Sequence, residues 1–156
     1  MSNDKIICAV YDIDNTLIDS NKKLTNDVVE TFARMGKQIK PSEVRGDWYA
    51  LAENYGLDRD DFDKEFENRE SWESSIKRGI VRPFPEAYKA LDEVRDQRIR
   101  MMALSRSIPE YTDLKLDLLG LRKYFGERVK TVHPKDGNKS SGLSNLIGAY
   151  GMLPHM

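Results

Sequence analysis

The sequence predicts an α/β fold in which a helical insert interrupts a parallel sheet, and three features of the chain support this prediction. Short apolar runs at residues 6–11, at 101–104 and near 128–132 have the composition of buried strands. A helical pattern at about 85–97 precedes the second run and another precedes the third, as in βαβ units. Residues 24–79 show no strand pattern but three helical stretches, which indicates an insert after the first strand.

The composition is that of an ordinary globular protein and excludes several classes. The 156 residues are 33% charged and 39% hydrophobic, enough for one well-packed core with a small insert. A net charge of −1 gives no indication of a nucleic-acid or membrane partner. The chain has neither an apolar stretch of roughly 20 residues nor a signal-peptide pattern, so we expect a cytoplasmic protein. Cys8 is the single cysteine, which excludes an internal disulfide.

The predicted core elements have clear ends. The first strand is followed directly by Asp12, and the second ends at Ser105. The helix after the second strand begins with Pro109 in its first turn and stops at Gly120, which are the positions these residues favour. A last helix is predicted over about 140–150. Strands that alternate with helices of this length argue for a parallel sheet.

The insert is predicted to be a small helical unit. Thr25 or Asn26 can cap its first helix, the second runs over about 41–55, and the third starts near Asp58. Four large aromatic residues recur at near-helical spacing and are expected to form its core, where one or two of them could face a substrate: Trp48, Phe62, Phe66 and Trp72.

The predicted domains are an α/β core of residues 1–20 and 80–156 and an inserted unit of residues 21–79. The stretch 24–79 has thirteen acidic and nine basic residues, whereas the rest has thirteen and sixteen. The insert is therefore about −4 and the rest about +3 in charge. A slightly basic core suits an anionic substrate, although the difference is small.

Polar side chains follow the predicted strands at the edge where ligands bind in parallel sheets. Asp12 and Asp14 follow the first strand, Ser105 ends the second, and a lysine follows the third. Two neighbouring carboxylates repel each other, so either one carries a proton or a cation lies between them. A hard divalent ion such as Mg²⁺ prefers oxygen ligands of this kind. Together these groups can hold and attack a phosphoryl group.

The same residues resemble the motifs of the haloacid dehalogenase superfamily. The run "DIDNTL" at 12–17, after an apolar strand, is similar to the first motif, which is highly specific. "MMALS" at 101–105 resembles the second motif, and "GNKS" at 137–140 resembles the third, a lysine that opens a helix. The stretches "RPFPEAYKALDEVRDQRIRMMALSRS" and "LGLRKYFGERV" also resemble phosphatases of this superfamily. An insert after the first strand is where these proteins carry a helical C1 cap.

The resemblance implies a fold and a mechanism. The fold would be a Rossmann-like parallel sheet with helices on both faces and an inserted helical cap after the first strand. Asp12 would attack phosphorus and form an aspartyl phosphate, while Asp14 would act as general acid and then as general base. Mg²⁺ would be held by the Asp12 side chain and the Asp14 backbone carbonyl. An acid at position 14 also argues for a phosphatase of small phosphomonoesters rather than a dehalogenase proper.

Further site residues are expected by the same resemblance. Thr16, Ser105 and Arg106 are candidates for substrate binding, and Lys139 for the catalytic lysine, with Lys135 as its rival. Each has a simpler interpretation. Ser105 could be the N-cap of the following helix, Arg106 and Lys139 could be solvated surface residues, and the two aspartates could only cap a turn.

The pattern is incomplete at its fourth motif, which in this superfamily supplies one or two further acids to the metal. No Asp or Glu follows Asp136. The chain could be truncated, another ligand could replace the missing acid, or catalysis could have been lost while the fold was kept. A sheet that lacks its next strand has an uncovered edge, so we expect a homodimer or a swapped element there. The alternative functions are a non-catalytic or regulatory binding protein and a phosphotransferase.

Overall fold

The structure is a computed structural model, and it describes residues 8–132. The chain divides into two compact units. The first, the α/β unit, comprises the described parts of Met1–Asp19 and Arg82–Met156. The second, the helical unit, comprises Ser20–Val81. No helix in the described range is long and apolar enough to cross a membrane.

A parallel sheet forms the centre of the α/β unit. Its three strands are β1 (Cys8–Tyr11), β4 (Arg100–Ser105) and β5 (Val129–Thr131), in the order β1-β4-β5. Both pairings are parallel, and the register places Tyr11 beside Ala103. Five of the six residues of β4 are buried, as expected for a central strand of a parallel sheet. The predicted α/β class with a parallel sheet is confirmed.

Three helices flank this sheet: α5 (Ala87–Asp96), α6 (Pro109–Leu118) and α7 (Arg122–Phe125). Helix α6 begins with proline, and Gly120 after its end has φ of +68°, a backbone conformation that glycine adopts without steric cost. The flanking helices contribute fully buried apolar side chains to the core, among them Leu91, Leu116 and Phe125.

A short antiparallel pair joins the two chain segments of the α/β unit. Strand β2 (Ile18–Asp19) pairs with β3 (Arg82–Pro83), so that Ile18 lies opposite Pro83. These strands lie where the chain leaves and re-enters the unit. They were not predicted, because two residues are too few to show a strand periodicity.

The helical unit contains α1 (Asn21–Arg34), a 3₁₀ turn (Pro41–Glu43), α2 (Trp48–Asn54), α3 (Arg59–Phe66) and α4 (Trp72–Lys77). Its core is an apolar and aromatic cluster of Val28, Phe32, Ile39, Tyr49, Ala52, Phe62 and Phe66. The rings of Phe32 and Phe62 meet edge to face, with centroids 5.4 Å apart. Two of the four aromatic residues expected in this core, Phe62 and Phe66, belong to the cluster, and Trp48 packs against it. Trp72 is buried but is not part of the cluster.

The predicted helix start near Asp58 is confirmed by α3, but other helix boundaries of this unit differ from the prediction. Helix α1 begins at Asn21, so Thr25 and Asn26 lie inside it and do not cap it. The predicted second and third helices are each broken in two, and Asp47, Asp58 and Ser71 accept hydrogen bonds from backbone N–H groups at the starts of α2, α3 and α4. Residues 44–47 and 67–71, which link the two parts of each predicted helix, are exposed or half-buried, so the buried face is interrupted at both breaks.

Candidate functional site

Asp12 lies directly after β1, and its carboxylate is held by the following loop. Its Oδ1 accepts a hydrogen bond from the backbone N–H of Ile13 at 2.9 Å. Its Oδ2 accepts one from the hydroxyl of Thr16 at 3.3 Å. Both oxygens are therefore oriented by short-range contacts while the residue stays partly exposed. Tyr11, just before it, has a pKa raised by burial, so this phenol stays neutral near pH 7.

A tight turn places Asp14 next to Asp12. The carbonyl of the fully buried Ile13 accepts hydrogen bonds from the N–H groups of Thr16, Leu17 and Ile18 at 3.0–3.3 Å. Asn15 adopts a φ of +59°, a left-handed conformation that asparagine tolerates better than most residues. The buried Ile13 side chain anchors the turn, and the acids on either side of it remain partly exposed.

Ser105 ends β4 at the same edge of the sheet. Because Tyr11 pairs with Ala103 in a parallel register, the chain reaches Asp12 and Ser105 at neighbouring strand ends. Ser105 is 1% exposed, and its hydroxyl has no hydrogen-bond partner within residues 8–132. The N-cap position of α6 is Ile108, so Ser105 is not the cap of that helix. A buried hydroxyl without a partner needs an explanation, such as a bound water or ion or a catalytic role.

Of the other predicted site residues, two lie close to Asp12 or Ser105 and two lie outside the described range. Thr16 is exposed and contacts Asp12, and Arg106 is an exposed residue directly after Ser105. Lys139 and Lys135 lie outside the described residues. The structure thus brings Asp12, Asp14 and Thr16 into one loop, with Ser105 and Arg106 at the end of the neighbouring strand.

Lys115 contacts Asp14 and was not predicted as a site residue. This lysine lies on α6, is 0% exposed, and its Nζ is 2.9 Å from Oδ2 and 3.1 Å from Oδ1 of Asp14. Its neighbours on the buried face of the helix are Thr112 and Leu116. A lysine on the buried face of a predicted helix is a signal that could have identified it, since lysine is almost never fully buried without a partner.

The described residues include oxygen ligands of the kind that Mg²⁺ prefers, but they provide only a few of them. No group of three or more His, Cys, Asp or Glu side chains that could hold a metal occurs between residues 8 and 132. Asp12 and Asp14 nevertheless offer hard oxygen donors on a single loop. Mg²⁺ is commonly bound through one or two carboxylates, with water and substrate phosphate as its other ligands. The Asp12 carboxylate and the Asp14 backbone carbonyl are therefore compatible with this ion.

Comparison with known proteins identifies related chains. A sequence model of the family described as haloacid dehalogenase-like hydrolase matches residues 9–139. No curated protein matches the chain in sequence. Three similar solved structures, each under 25% identical, share the fold. One is described as a predicted phosphatase from Clostridium acetobutylicum, with a TM-score of 0.78 and 13% identity over 93% of this chain and 70% of that chain.

The second is a haloacid dehalogenase-like family hydrolase from Streptococcus pneumoniae, with a TM-score of 0.74 and 17% identity over 97% of this chain and 73% of that chain. The third is a hydrolase of the same family from Deinococcus radiodurans, solved with bound phosphate and sodium. Its TM-score is 0.62 and its identity 20%, over 96% of this chain and 69% of that chain.

Proposed function

Because the chain belongs to the haloacid dehalogenase-like hydrolases, we propose that it is a phosphatase that hydrolyses a small phosphomonoester through an aspartyl-phosphate intermediate. The observation that carries the proposal is the position of Asp12 and Asp14 on one anchored loop at the sheet edge where β4 ends in the buried hydroxyl of Ser105. Similar folds described as a phosphatase and as a hydrolase with bound phosphate support it.

Asp12 and Asp14 carry the two chemical steps. In the first, an Asp12 carboxylate oxygen attacks phosphorus, the bond from phosphorus to the leaving oxygen breaks, and Asp14 gives its proton to that oxygen. In the second, Asp14 takes a proton from water, which attacks phosphorus and releases phosphate from Asp12. The bonds from Ile13 and Thr16 to Asp12 keep its carboxylate oriented for this attack.

Ser105, Arg106, Thr16 and Lys139 are the proposed partners of the phosphoryl group. Ser105 is suited to it because its buried hydroxyl is not used by another described residue. Arg106 is exposed beside Ser105 and can meet a second anionic group of the substrate. Lys139 would add a positive charge, with Lys135 as the alternative.

Asp12 and Asp14 would also hold Mg²⁺. A carboxylate and a phosphate at about 4 Å repel each other by roughly 4 kcal/mol at an effective dielectric constant of about 20. A bound Mg²⁺ supplies positive charge that offsets this repulsion. The helical unit, inserted between the two segments of the α/β unit, is the proposed cap that selects the substrate.

The experiment that tests this function compares hydrolysis of para-nitrophenyl phosphate by the wild-type chain and by Asp12→Asn, with Mg²⁺ and with a chelator. We expect activity that needs both the metal and Asp12. The matched control is Asp96→Asn, an exposed acid at the end of α5 that precedes β4 and is therefore at the opposite strand end. Its activity should equal that of the wild type.

Three results would contradict the proposal. Activity that survives Asp12→Asn would exclude Asp12 as the nucleophile. A folded wild-type chain without activity, with Mg²⁺ present, would favour the non-catalytic binding protein. Transfer of phosphate to an added alcohol in preference to water would instead indicate a phosphotransferase.

A further inference from the structure

Lys115 is a buried cation that the proposed chemistry does not yet use. Its side chain is 1% exposed, and burial of an ammonium group is costly unless it is paired. Its partner is Asp14, the residue to which the proposed function gives the proton transfers. Such a pair contributes little net stability compared with apolar residues of the same size. Stability alone therefore does not explain why Lys115 lies at this site, and a role in the reaction would explain it.

The geometry of the pair restrains the Asp14 carboxylate. Lys115 Nζ lies within hydrogen-bond distance of both oxygens, at 2.9 and 3.1 Å, so rotation of the carboxylate would break one of the two contacts. The Asp14 side chain remains 20% exposed. One side of the carboxylate is thus held by the buried ammonium while part of it remains open to solvent.

The route by which Lys115 reaches Asp14 also connects two parts of the site. Helix α6 follows β4, whose last residue is Ser105. The contact from α6 back to Asp14 therefore links the loop that carries the two aspartates to the segment that carries the buried hydroxyl. Displacement of catalytic groups by about 1 Å can cost on the order of 100-fold in rate, so a link of this kind matters for catalysis.

We propose that Lys115 is a positioning residue that holds the carboxyl group of Asp14 beside the leaving-group oxygen, to which Asp14 transfers its proton. The proposal rests on the proposed phosphatase function. It makes a specific kinetic prediction, because proton donation matters most when the leaving group is a poor one. An alkoxide needs the proton to leave, whereas para-nitrophenolate leaves almost without it.

The test measures kcat and KM for two substrates, glycerol 2-phosphate and para-nitrophenyl phosphate, with the wild type and Lys115→Met. We expect kcat on glycerol 2-phosphate to fall about 100-fold and kcat on para-nitrophenyl phosphate to fall less than about tenfold. The affinity for inorganic phosphate, measured by calorimetry, should change less than about threefold, because the lysine acts on Asp14 and not on the phosphoryl group. Equal losses on the two substrates, or a much weaker phosphate affinity, would overturn the proposal.

Two further variants separate positioning from stability. Lys23→Met is the matched control, because Lys23 is 2% exposed and pairs with Asp27 at 2.8 Å within the helical unit. It should lower stability and leave the ratio of the two kcat values unchanged. Lys115→Arg keeps a cation and should retain part of the wild-type kcat on glycerol 2-phosphate. This variant provides the test if Lys115→Met does not fold. A folded Lys115→Arg variant whose kcat on glycerol 2-phosphate is at least about 100-fold below that of the wild type, the loss expected for Lys115→Met, would contradict the proposal.

The outcomes also separate this inference from the function on which it rests. A wild-type chain that is inactive on both substrates overturns the phosphatase function and the positioning role together. An active wild type whose substrate ratio is unaffected by Lys115→Met leaves the phosphatase function standing and overturns only the role of Lys115.

Discussion

The ammonium of Lys115 lies 2.9 Å from Oδ2 of Asp14, although the two residues are 101 positions apart in the chain. The two partners differ in burial, since the lysine side chain is 1% exposed and the aspartate side chain 20%. Loss of either partner therefore leaves a different charge behind. Removal of Asp14 leaves a fully buried ammonium, whereas removal of Lys115 leaves a carboxylate that water can still reach.

The stability of single variants should show this asymmetry. We expect Asp14→Asn to lower the free energy of unfolding by about 3 kcal/mol and Lys115→Met by about 1 kcal/mol at neutral pH. The double variant should be more stable than the sum of the two losses predicts, because it removes both charges of the pair. Urea denaturation of all four proteins measures these values. Additive losses to within about 0.4 kcal/mol would contradict an ion pair between the residues.

Ser105→Ala should impair function without lowering stability. The hydroxyl of Ser105 is buried without a partner in the described range, so its removal costs no described hydrogen bond. We expect the free energy of unfolding to change by less than about 0.5 kcal/mol and kcat/KM to fall by about tenfold or more. Urea denaturation and phosphatase kinetics measure the two effects.

The control for this prediction is Ser71→Ala. Ser71 accepts a hydrogen bond from the Ser74 N–H at 3.1 Å as the N-cap of α4, so its loss should cost about 1 kcal/mol. If Ser105→Ala loses as much stability as Ser71→Ala, the Ser105 hydroxyl has a structural partner and is not reserved for a ligand.

Thr16→Val should slow the reaction because it removes a hydrogen bond that orients Asp12, the proposed nucleophile. The Thr16 hydroxyl donates to Asp12 Oδ2 at 3.3 Å, and valine keeps the shape of the side chain without this donor. We expect kcat to fall by about tenfold, while stability changes by less than about 0.5 kcal/mol because Thr16 is exposed. Kinetics with para-nitrophenyl phosphate and urea denaturation provide the check.

Thr25→Val serves as the matched substitution, and it also tests the corrected start of α1. Thr25 lies inside this helix, so its replacement should cost less than about 0.5 kcal/mol and leave kcat unchanged. A loss of about 1 kcal/mol would instead indicate that Thr25 is an N-cap after all.

Tyr124 should make the protein sensitive to alkaline pH. Burial, together with its hydrogen bond to Asp92 at 2.7 Å, raises the pKa of this phenol to about 12. An unfolded tyrosine has a pKa of about 10, so between these values the unfolded chain loses the proton first. The stability that Tyr124 contributes is therefore complete below about pH 10 and is lost as the pH rises towards about 12.

The measurement is the difference in free energy of unfolding between the wild type and Tyr124→Phe, followed from neutral to alkaline pH. The difference should shrink over the window above about pH 10. In Asp92→Asn part of this dependence should persist, because burial is the larger cause of the raised pKa. A difference that stays constant with pH would exclude a perturbed Tyr124.

The parts of the fold that were predicted correctly depend on strong local signals. The second predicted strand, 101–104, corresponds to β4, and the helix that begins at Pro109 and stops before Gly120 corresponds to α6. In the insert, the predicted start of the third helix near Asp58 is confirmed, because Asp58 is the N-cap of α3, but the predicted start of the first helix is wrong. Thr25 and Asn26 have the chemistry of caps but lie within α1, because a capping residue can also occupy a helix interior when packing favours it.

The amino-acid sequence by itself determined the placement of Asp12, Asp14 and Thr16 relative to one another. These residues belong to one short turn after a buried strand, so their contacts follow from local geometry. The tertiary structure alone decided that Lys115 would meet Asp14. Their contact depends on the parallel pairing of β1 with β4 and on the helix that follows β4, and short-range pattern does not encode a distance between such remote segments. The burial of Lys115 and its ion pair with Asp14 form together when the helix packs on the sheet. For this reason Lys115 belongs to the candidate site, although the local sequence pattern does not indicate a role for it.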